Sequence, residues 1–170
     1  MTMNLYDATV PILTKALHNL DKWLDKAVGY ADHKKFPPER FLTARLALDQ
    51  YDFIGQVQGL CDTAKYAAAK LTGQTPPSHP DTEKTLPEVR ARIKTVIDYL
   101  ATFKREDFVG CEERAVTYPF FGGKSIRGGD YLDHMVLPNF YFHLTTAYAI
   151  LRNNGVELGK QDFLGELPLK

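Results

Sequence analysis

The sequence predicts an all-α protein, a four-helix bundle with a small β-hairpin between the third and fourth helices. Four stretches carry apolar residues at helical spacing, and segments rich in proline, glycine or polar residues separate them. The pattern changes in 112–127, where two short stretches flank a Gly-Gly pair, as in a hairpin. Because 170 residues is close to the length of one domain, we expect residues 1–170 to form a single helical-bundle domain.

The first helix is predicted to begin near Thr9, with Pro11 in its first turn. A proline there costs no hydrogen bond, because the first N–H groups of a helix have no partner inside it. Gly29 is expected to begin the end of this helix. A connector with two prolines follows, and we expect one helical turn after Pro38.

The second helix is predicted to run from Asp49, as its N-cap, to Leu71, with Gly73 as its C-terminal cap. The third is predicted from the capping-box pattern of 85–88 and is expected to end near Lys104. The buried face of the second helix is expected to contain Tyr51, Ile54, Val57, Cys61, Ala64, Ala68 and Leu71.

The fourth helix is predicted to be one long element over 128–155. Asp130 follows a glycine pair and is the expected N-cap, while Gly155 is the expected left-handed C-terminal cap. The tail after it is too short for its own core. We therefore expect Phe163 and Leu164 to pack on the bundle or on a second subunit.

The charge balance argues against nucleic acid and membranes as partners, since 21 basic residues match 21 acidic ones. The uncharged run from His134 to Leu151 includes Pro, Asn, His and Thr residues, which favours a buried core helix over a membrane span. Two cysteines and the absence of a leader pattern predict a cytoplasmic protein. Cys61 is predicted to be an unreactive core thiol.

Asn139 and His143 are the first candidate site residues. They are four residues apart, so on a helix they project from the same side, and both could reach the bundle interior. The alternative is a hydrogen-bonded pair that fixes helix packing. His134 precedes His143 by nine residues, about 180° away on an ideal helix, which predicts a surface position or a contact with the hairpin.

A polar stripe on the second helix supplies the other candidates, Asp49, Asp52 and Gln56, at positions i, i+3 and i+7. If the stripe faces the interior, one of its carboxylates could join His143 in holding a divalent ion, or orient it as a base. The alternative is that Asp49 caps the helix and Asp52 complements the helix dipole in solvent.

Three segments together resemble a family of uncharacterised bacterial proteins within the DinB/YfiT-like superfamily of metalloenzymes. They are VPILTKALHNLDKWLDKA near the start, RLALDQYDFIGQVQGLCDTAKYAAAKLTG in the second helix and YLDHMVLPNFYFHLTTAYAILRNNGVELGK near the end. The resemblance spans nearly the whole chain. It implies a DinB-like four-helix bundle and often a homodimer.

The resemblance also implies a metal site, which in the superfamily consists of one His on the second helix and a His-x-x-x-His pair on the fourth, binding zinc or nickel. His143 falls on the second His of that pair, and Asn139 stands at the first. The second helix has no His, and the candidate ligands in that region are instead Asp49, Asp52 and Gln56.

Two functional hypotheses follow. The first is a DinB-like protein with a degenerate metal-site pocket, acting on a small molecule as a metal-dependent hydrolase or thiol transferase, with His143 as metal ligand or general base. The second is a non-catalytic bundle, dimeric and structural or binding a small molecule. The pocket residues of the first are Asn139, His143, Asp49, Asp52 and Gln56; in the second, the polar residues fix the packing and the tail builds the dimer.

Overall fold

A computed structural model describes residues 4–169, and they form the predicted four-helix bundle with its small hairpin. The long helices are α1 (Leu5–Lys34), α2 (Phe53–Thr72), α3 (Leu86–Leu100) and a fourth run made of α4 (Gly128–Tyr131), a π-helical turn (Leu132–Val136) and α5 (Leu137–Asn153). A short α6 (Lys160–Leu164) follows. Strands β1 (Ala115–Val116) and β2 (Ile126–Arg127) pair antiparallel. Helix α2 packs against both α3 and α5.

Helix α1 begins at Leu5, earlier than the predicted Thr9, because the Asn4 side chain caps it by accepting a hydrogen bond from the Tyr6 N–H. Pro11 therefore lies inside the helix and not in its first turn. The prediction that Gly29 begins the helix end was also wrong. The helix continues to Lys34, and its C-cap is a left-handed lysine. The helical turn after Pro38 is present over Pro38–Phe41.

Helix α2 begins after Asp52 and not after Asp49. The Asp52 carboxylate accepts a hydrogen bond from the Gly55 N–H at 3.0 Å, which satisfies a free donor of the first turn. Asp49 and Tyr51 precede the helix and are exposed, so the prediction that Tyr51 belongs to the buried face was wrong. Gly73 is the left-handed C-cap, as predicted.

The capping box at the start of α3 is confirmed. Thr85 accepts from the Glu88 N–H, and the Glu88 carboxylate accepts from the Thr85 N–H at 2.9 Å. The helix ends at Leu100, before the predicted Lys104, and Phe103 remains buried beyond it.

The fourth helical run extends from Gly128 to Asn153 with one irregular turn. Asp130 lies in the first turn and is not the N-cap; the backbone of Arg127 takes that position without a side-chain hydrogen bond. The π turn comes just before Pro138. Proline lacks an N–H and its ring crowds the carbonyl of the preceding turn, which the wider π turn accommodates. Gly155 has the predicted left-handed backbone, with φ of 97°.

The tail packs on its own bundle. The Trp23 indole N–H donates to the Asp162 carbonyl at 3.0 Å, and the Phe163 ring stacks on Trp23 with a centroid distance of 5.7 Å. Lys26 forms an ion pair of 2.7 Å with the Asp162 carboxylate. Leu164 remains 45% exposed.

The uncharged run that starts at His134 forms part of the core, as predicted. Phe140, Leu144 and Ala147 on it are buried between the other helices. In residues 4–169, no helix combines the length and the apolar character that crossing a membrane requires.

Candidate functional site

A cavity of about 250 Å³ lies between α2, the fourth helical run and the hairpin. Both Asn139 and His143 line it, so the two candidates on the fourth helical run lie at one site. The remaining lining residues are Gly59, Asp62, Thr63, Tyr66, Tyr118, Tyr131, Met135 and Val136. Tyr118 follows strand β1 closely, so the hairpin contributes one wall.

His143 is buried and held by Gln56. The Gln56 amide nitrogen donates to the Tyr51 carbonyl at 3.1 Å, which can only accept. The amide oxygen of Gln56 therefore faces His143 Nδ1 at 2.8 Å, and Nδ1 must carry the proton that it donates. This leaves Nε2 unprotonated, with a lone pair. Gln56 thus belongs to the site through His143, as the sequence stripe suggested.

Gly59 lets the imidazole lie directly against α2. A Cβ at this position would lie 2.7 Å from both Nε2 and Cε1 of His143, closer than such contacts occur. Since Gly59 also lines the cavity, the Nε2 edge of the ring lies at the cavity wall.

Asn139 is exposed, so it lies at the rim of the cavity and not in the bundle interior. The single hydroxyl proton of Thr63 is donated to the Gly59 carbonyl at 2.7 Å. Thr63 must then accept from the Asn139 amide nitrogen, 2.6 Å away, and the Asn139 carbonyl oxygen is left free. Asn139 and His143 share a helix side, as predicted, but each binds a different residue of α2.

Asp49 and Asp52 do not line this cavity. Asp49 is exposed in the loop before α2, and Asp52 is held at the N-cap by Gly55 and by an ion pair of 3.3 Å with Arg45. The predicted polar stripe assumes a helix that begins at Asp49. Because α2 begins at Phe53, only Gln56 of the three projects toward the fourth helical run.

The carboxylate at the cavity is Asp62, which the sequence analysis missed. Its Oδ1 binds Lys65 Nζ at 2.8 Å and Arg92 Nη2 at 3.1 Å, and both of these cations have side chains only 2% exposed. Arg92 also pairs with Asp81 and Glu83 of the loop before α3, at 2.9 Å each. Two buried basic residues on apolar helix faces were the available sequence signal, since such charges require nearby carboxylates.

Two phenols form another wall. The hydroxyls of Tyr118 and Tyr131 are 2.7 Å apart, so one donates to the other and one proton remains available. Burial raises the pKa of Tyr118 and of Tyr131, so both hydroxyls remain protonated. Burial also lowers the pKa of His143, which favours the neutral imidazole that the hydrogen bonds require.

The residues of the cavity do not fit a zinc or nickel centre with three protein ligands. Between residues 4 and 169, no group of three His, Cys, Asp or Glu side chains is arranged to hold a metal. His143 is the one imidazole, Asn139 offers a neutral oxygen, and Lys65 and Arg92 already bind the Asp62 carboxylate. Binding of a divalent metal stays a prediction, and its donors at this cavity would be one imidazole and one neutral oxygen.

The second hollow, the remaining histidine candidate and the two cysteines offer fewer groups that could bind or react with a ligand. A hollow of about 600 Å³ is lined by Lys26, Tyr30, His33, Lys34 and Glu157, most of them exposed. His134 is exposed, in agreement with a surface role. Both cysteines are buried, and burial raises the pKa of the Cys61 thiol to about 12 and that of Cys111 to about 11. Neither is a thiolate at neutral pH.

Comparison with known proteins shows the family. Residues 5–164 match the model of a domain of unknown function, DUF1993. A crystal structure of a DinB family member protein from Shewanella denitrificans is similar, with 47% sequence identity and a TM-score of 0.95 over 98% of this chain and 94% of that chain. A search of curated proteins finds no match. The chain therefore belongs to the DUF1993 family, whose fold is the DinB-like four-helix bundle.

Proposed function

We propose that the protein binds a small molecule in the 250 Å³ cavity, with Nε2 of His143 as the central hydrogen-bond acceptor. The observation that carries the proposal is the hydrogen bond between Gln56 and His143, which leaves the Nε2 lone pair at the cavity wall. Within residues 4–169 Nε2 accepts no hydrogen bond and is not fully enclosed by protein, so a molecule in the cavity can reach it. The cavity is smaller than the pockets of drug-sized ligands, about 300–1,000 Å³, so the ligand is correspondingly small.

The same lone pair gives the cavity a chemical capability. A neutral imidazole accepts a proton from a bound water or thiol, which is the step that hydrolysis and thiol transfer share. The phenol pair of Tyr118 and Tyr131 supplies one hydroxyl proton for a developing negative charge. If the protein is an enzyme, we propose His143 as its general base, in a hydrolase or a thiol transferase.

The binding test is a small-molecule fragment screen followed by amide NMR. A ligand of this cavity should shift the resonances of Gly59 and its neighbours in the wild-type protein. His143→Ala should lose the binding while keeping the fold, and His134→Ala, an exposed histidine of the same helical run, should retain it. Ligands that shift the same resonances equally in both variants would refute the role of His143.

Elemental analysis of untagged protein, prepared without chelator, tests the metal prediction. Near-stoichiometric zinc or nickel that is lost in His143→Ala would make the cavity a metal site despite its reduced donor set. Hydrolase and thiol-transfer assays with and without added divalent ions then test the proposed reaction classes.

A second candidate function is self-association as a homodimer. The observation that favours it is a groove in which three partly exposed apolar side chains meet: Ile12 at 39%, Tyr141 at 39% and Leu164 at 45% exposure. Light scattering of the purified protein over a concentration series tests it. A monomer at every concentration would refute the homodimer.

A further inference from the structure

The hydrogen-bond inventory of the cavity is dominated by acceptors. Asp62 Oδ1 takes both Lys65 and Arg92, and in residues 4–169 no donor binds its other oxygen. Nε2 of His143 and the carbonyl oxygen of Asn139 are acceptors for the reasons given above. These three groups can only accept, whereas the hydroxyls of Tyr66 and of the phenol pair can donate or accept, and the second amide N–H of Asn139 is the one group here that can only donate. The complementary ligand is therefore rich in donors.

The charges around Asp62 also favour a ligand that carries a positive charge. The ion cluster contains three carboxylates, those of Asp62, Asp81 and Glu83, and two cations, Lys65 and Arg92. One negative charge is in excess, and the carboxylate of the cluster that reaches the cavity is Asp62. A single positive charge on the ligand balances the cluster.

Two positive charges fit less well than one. Lys65 Nζ lies 2.8 Å from Asp62 Oδ1, so a dication bound at the other oxygen would meet an ammonium group across one carboxylate. The ring faces of the tyrosines are also partly used: Lys70 Nζ lies 5.0 Å from the centroid of Tyr118, and Lys65 Nζ lies 5.2 Å from that of Tyr66. The ligand charge therefore finds its partner in Asp62 and not in an aromatic cage.

We propose that the ligand of this cavity is a small primary amine, bound as its ammonium ion with Asp62 as its counter-ion. An alkylammonium group has three N–H donors and no acceptor, which matches the inventory of acceptors. Its carbon skeleton lies against Met135, Val136 and the tyrosine rings. This assignment rests on the proposed function, since it names the ligand class of the same cavity.

The test compares three probes of nearly equal size: benzylamine, benzyl alcohol and benzoate. Each is titrated into the wild-type protein at neutral pH and followed through the amide resonances around Gly59 and His143. Benzylamine should bind about tenfold more tightly than benzyl alcohol, because a charge-assisted hydrogen bond replaces a neutral one. Benzoate should not bind measurably.

Asp62→Asn should remove most of the preference for benzylamine over benzyl alcohol, since it deletes the counter-charge and keeps an acceptor for Lys65. Because Asp62 pairs with two buried cations and its replacement can disturb the fold, Asn139→Ala provides a second variant at the exposed rim. It should weaken benzylamine binding and leave the fold unchanged. His134→Ala is the control for both and should bind as the wild type does.

Each outcome separates the two proposals. Equal binding of benzylamine and benzyl alcohol, both lost in His143→Ala, would refute the amine assignment and leave the binding cavity intact. A preference for benzoate, or tight binding of zinc chloride with no benzylamine binding, would also refute it. If none of the probes shifts the cavity resonances, the amine assignment fails, and the fragment screen then decides the proposed function separately.

Discussion

Replacing Gly59 by alanine places a methyl group against the His143 imidazole, at 2.7 Å from two ring atoms and 3.1 Å from the third. The ring cannot rotate away freely, because Gln56 holds its Nδ1 at 2.8 Å. Gly29 in α1 provides the matched control. It is also inside a helix, but a Cβ there meets no heavy atom within 4 Å.

The two substitutions should change the free energy of unfolding in opposite directions. In both helices alanine gains about 1 kcal/mol over glycine. At Gly59 this gain is outweighed by overpacking of about 1–3 kcal/mol and by loss of the hydrogen bond to Gln56, about 1 kcal/mol more. We expect Gly59→Ala to lose about 2 kcal/mol and Gly29→Ala to gain about 1 kcal/mol.

Urea denaturation gives the free energies, and calorimetry should show Tm lowered by about 4–8 °C in Gly59→Ala and raised by about 2–4 °C in Gly29→Ala. Long-range proton–nitrogen NMR of the imidazole reports whether Nδ1 of His143 still carries the proton. A Gly59→Ala protein as stable as Gly29→Ala, with an unchanged His143 signal, would show that the ring does not pack against α2 as described.

Four further predictions concern other parts of the molecule. Arg92→Ala should cost about 3 kcal/mol in urea denaturation, since it removes a side chain only 2% exposed that pairs with three carboxylates, and it leaves Glu83, 12% exposed, without its cation. Arg90→Ala, at an ion pair that is more exposed, should cost less than about 1 kcal/mol, and similar losses would contradict this ranking. Burial lowers the pKa of His143 from 6.5, so the unfolded chain takes up a proton first as the pH falls. Stability present above about pH 7 should therefore fall toward pH 5 more steeply in the wild type than in His143→Phe, and parallel curves would refute this. Both cysteines should react with iodoacetamide only as fast as the protein unfolds, and rapid labelling of native protein would contradict their burial. If the protein self-associates through the groove of Ile12, Tyr141 and Leu164, Tyr141→Glu should make it a monomer in light scattering, and an unchanged dimer would refute this interface.

The architecture was predictable because it depends on local signals. Apolar spacing, the capping box at Thr85 and the glycine at 155 act within a few residues of the chain, and each appears where predicted. The errors lie at helix boundaries: α1 and α2 begin elsewhere than predicted, α1 continues past Gly29, and α3 ends before Lys104. Asp49 and Asp52 are both good caps by residue type, and the choice between them depends on how the preceding loop folds, with Arg45 paired to Asp52.

The site was only half predictable, for a different reason. Asn139 and His143 were found because they are close in sequence and share a helix side. Asp62 was missed because its importance comes from α3 and the loop before it, through Arg92, Asp81 and Glu83. Spacing along one helix gives no information about partners on another.

The ion cluster also connects the cavity to the rest of the bundle. Asp62 lines the cavity on one side and binds Arg92 of α3 on the other, and Arg92 holds the loop before α3 through two more carboxylates. A ligand that binds Asp62 in the folded protein alone must stabilise the fold, by about 2.7 kcal/mol at a concentration of 100 Kd. Arg92→Ala leaves the Asp62 carboxylate with Lys65 as its one remaining cation, so this variant should bind an ammonium ligand more tightly while being less stable. Higher affinity for the ligand together with lower stability is expected when Arg92 and the ligand share the Asp62 carboxylate. A substitution that only loosens the fold would lower both the ligand affinity and the free energy of unfolding.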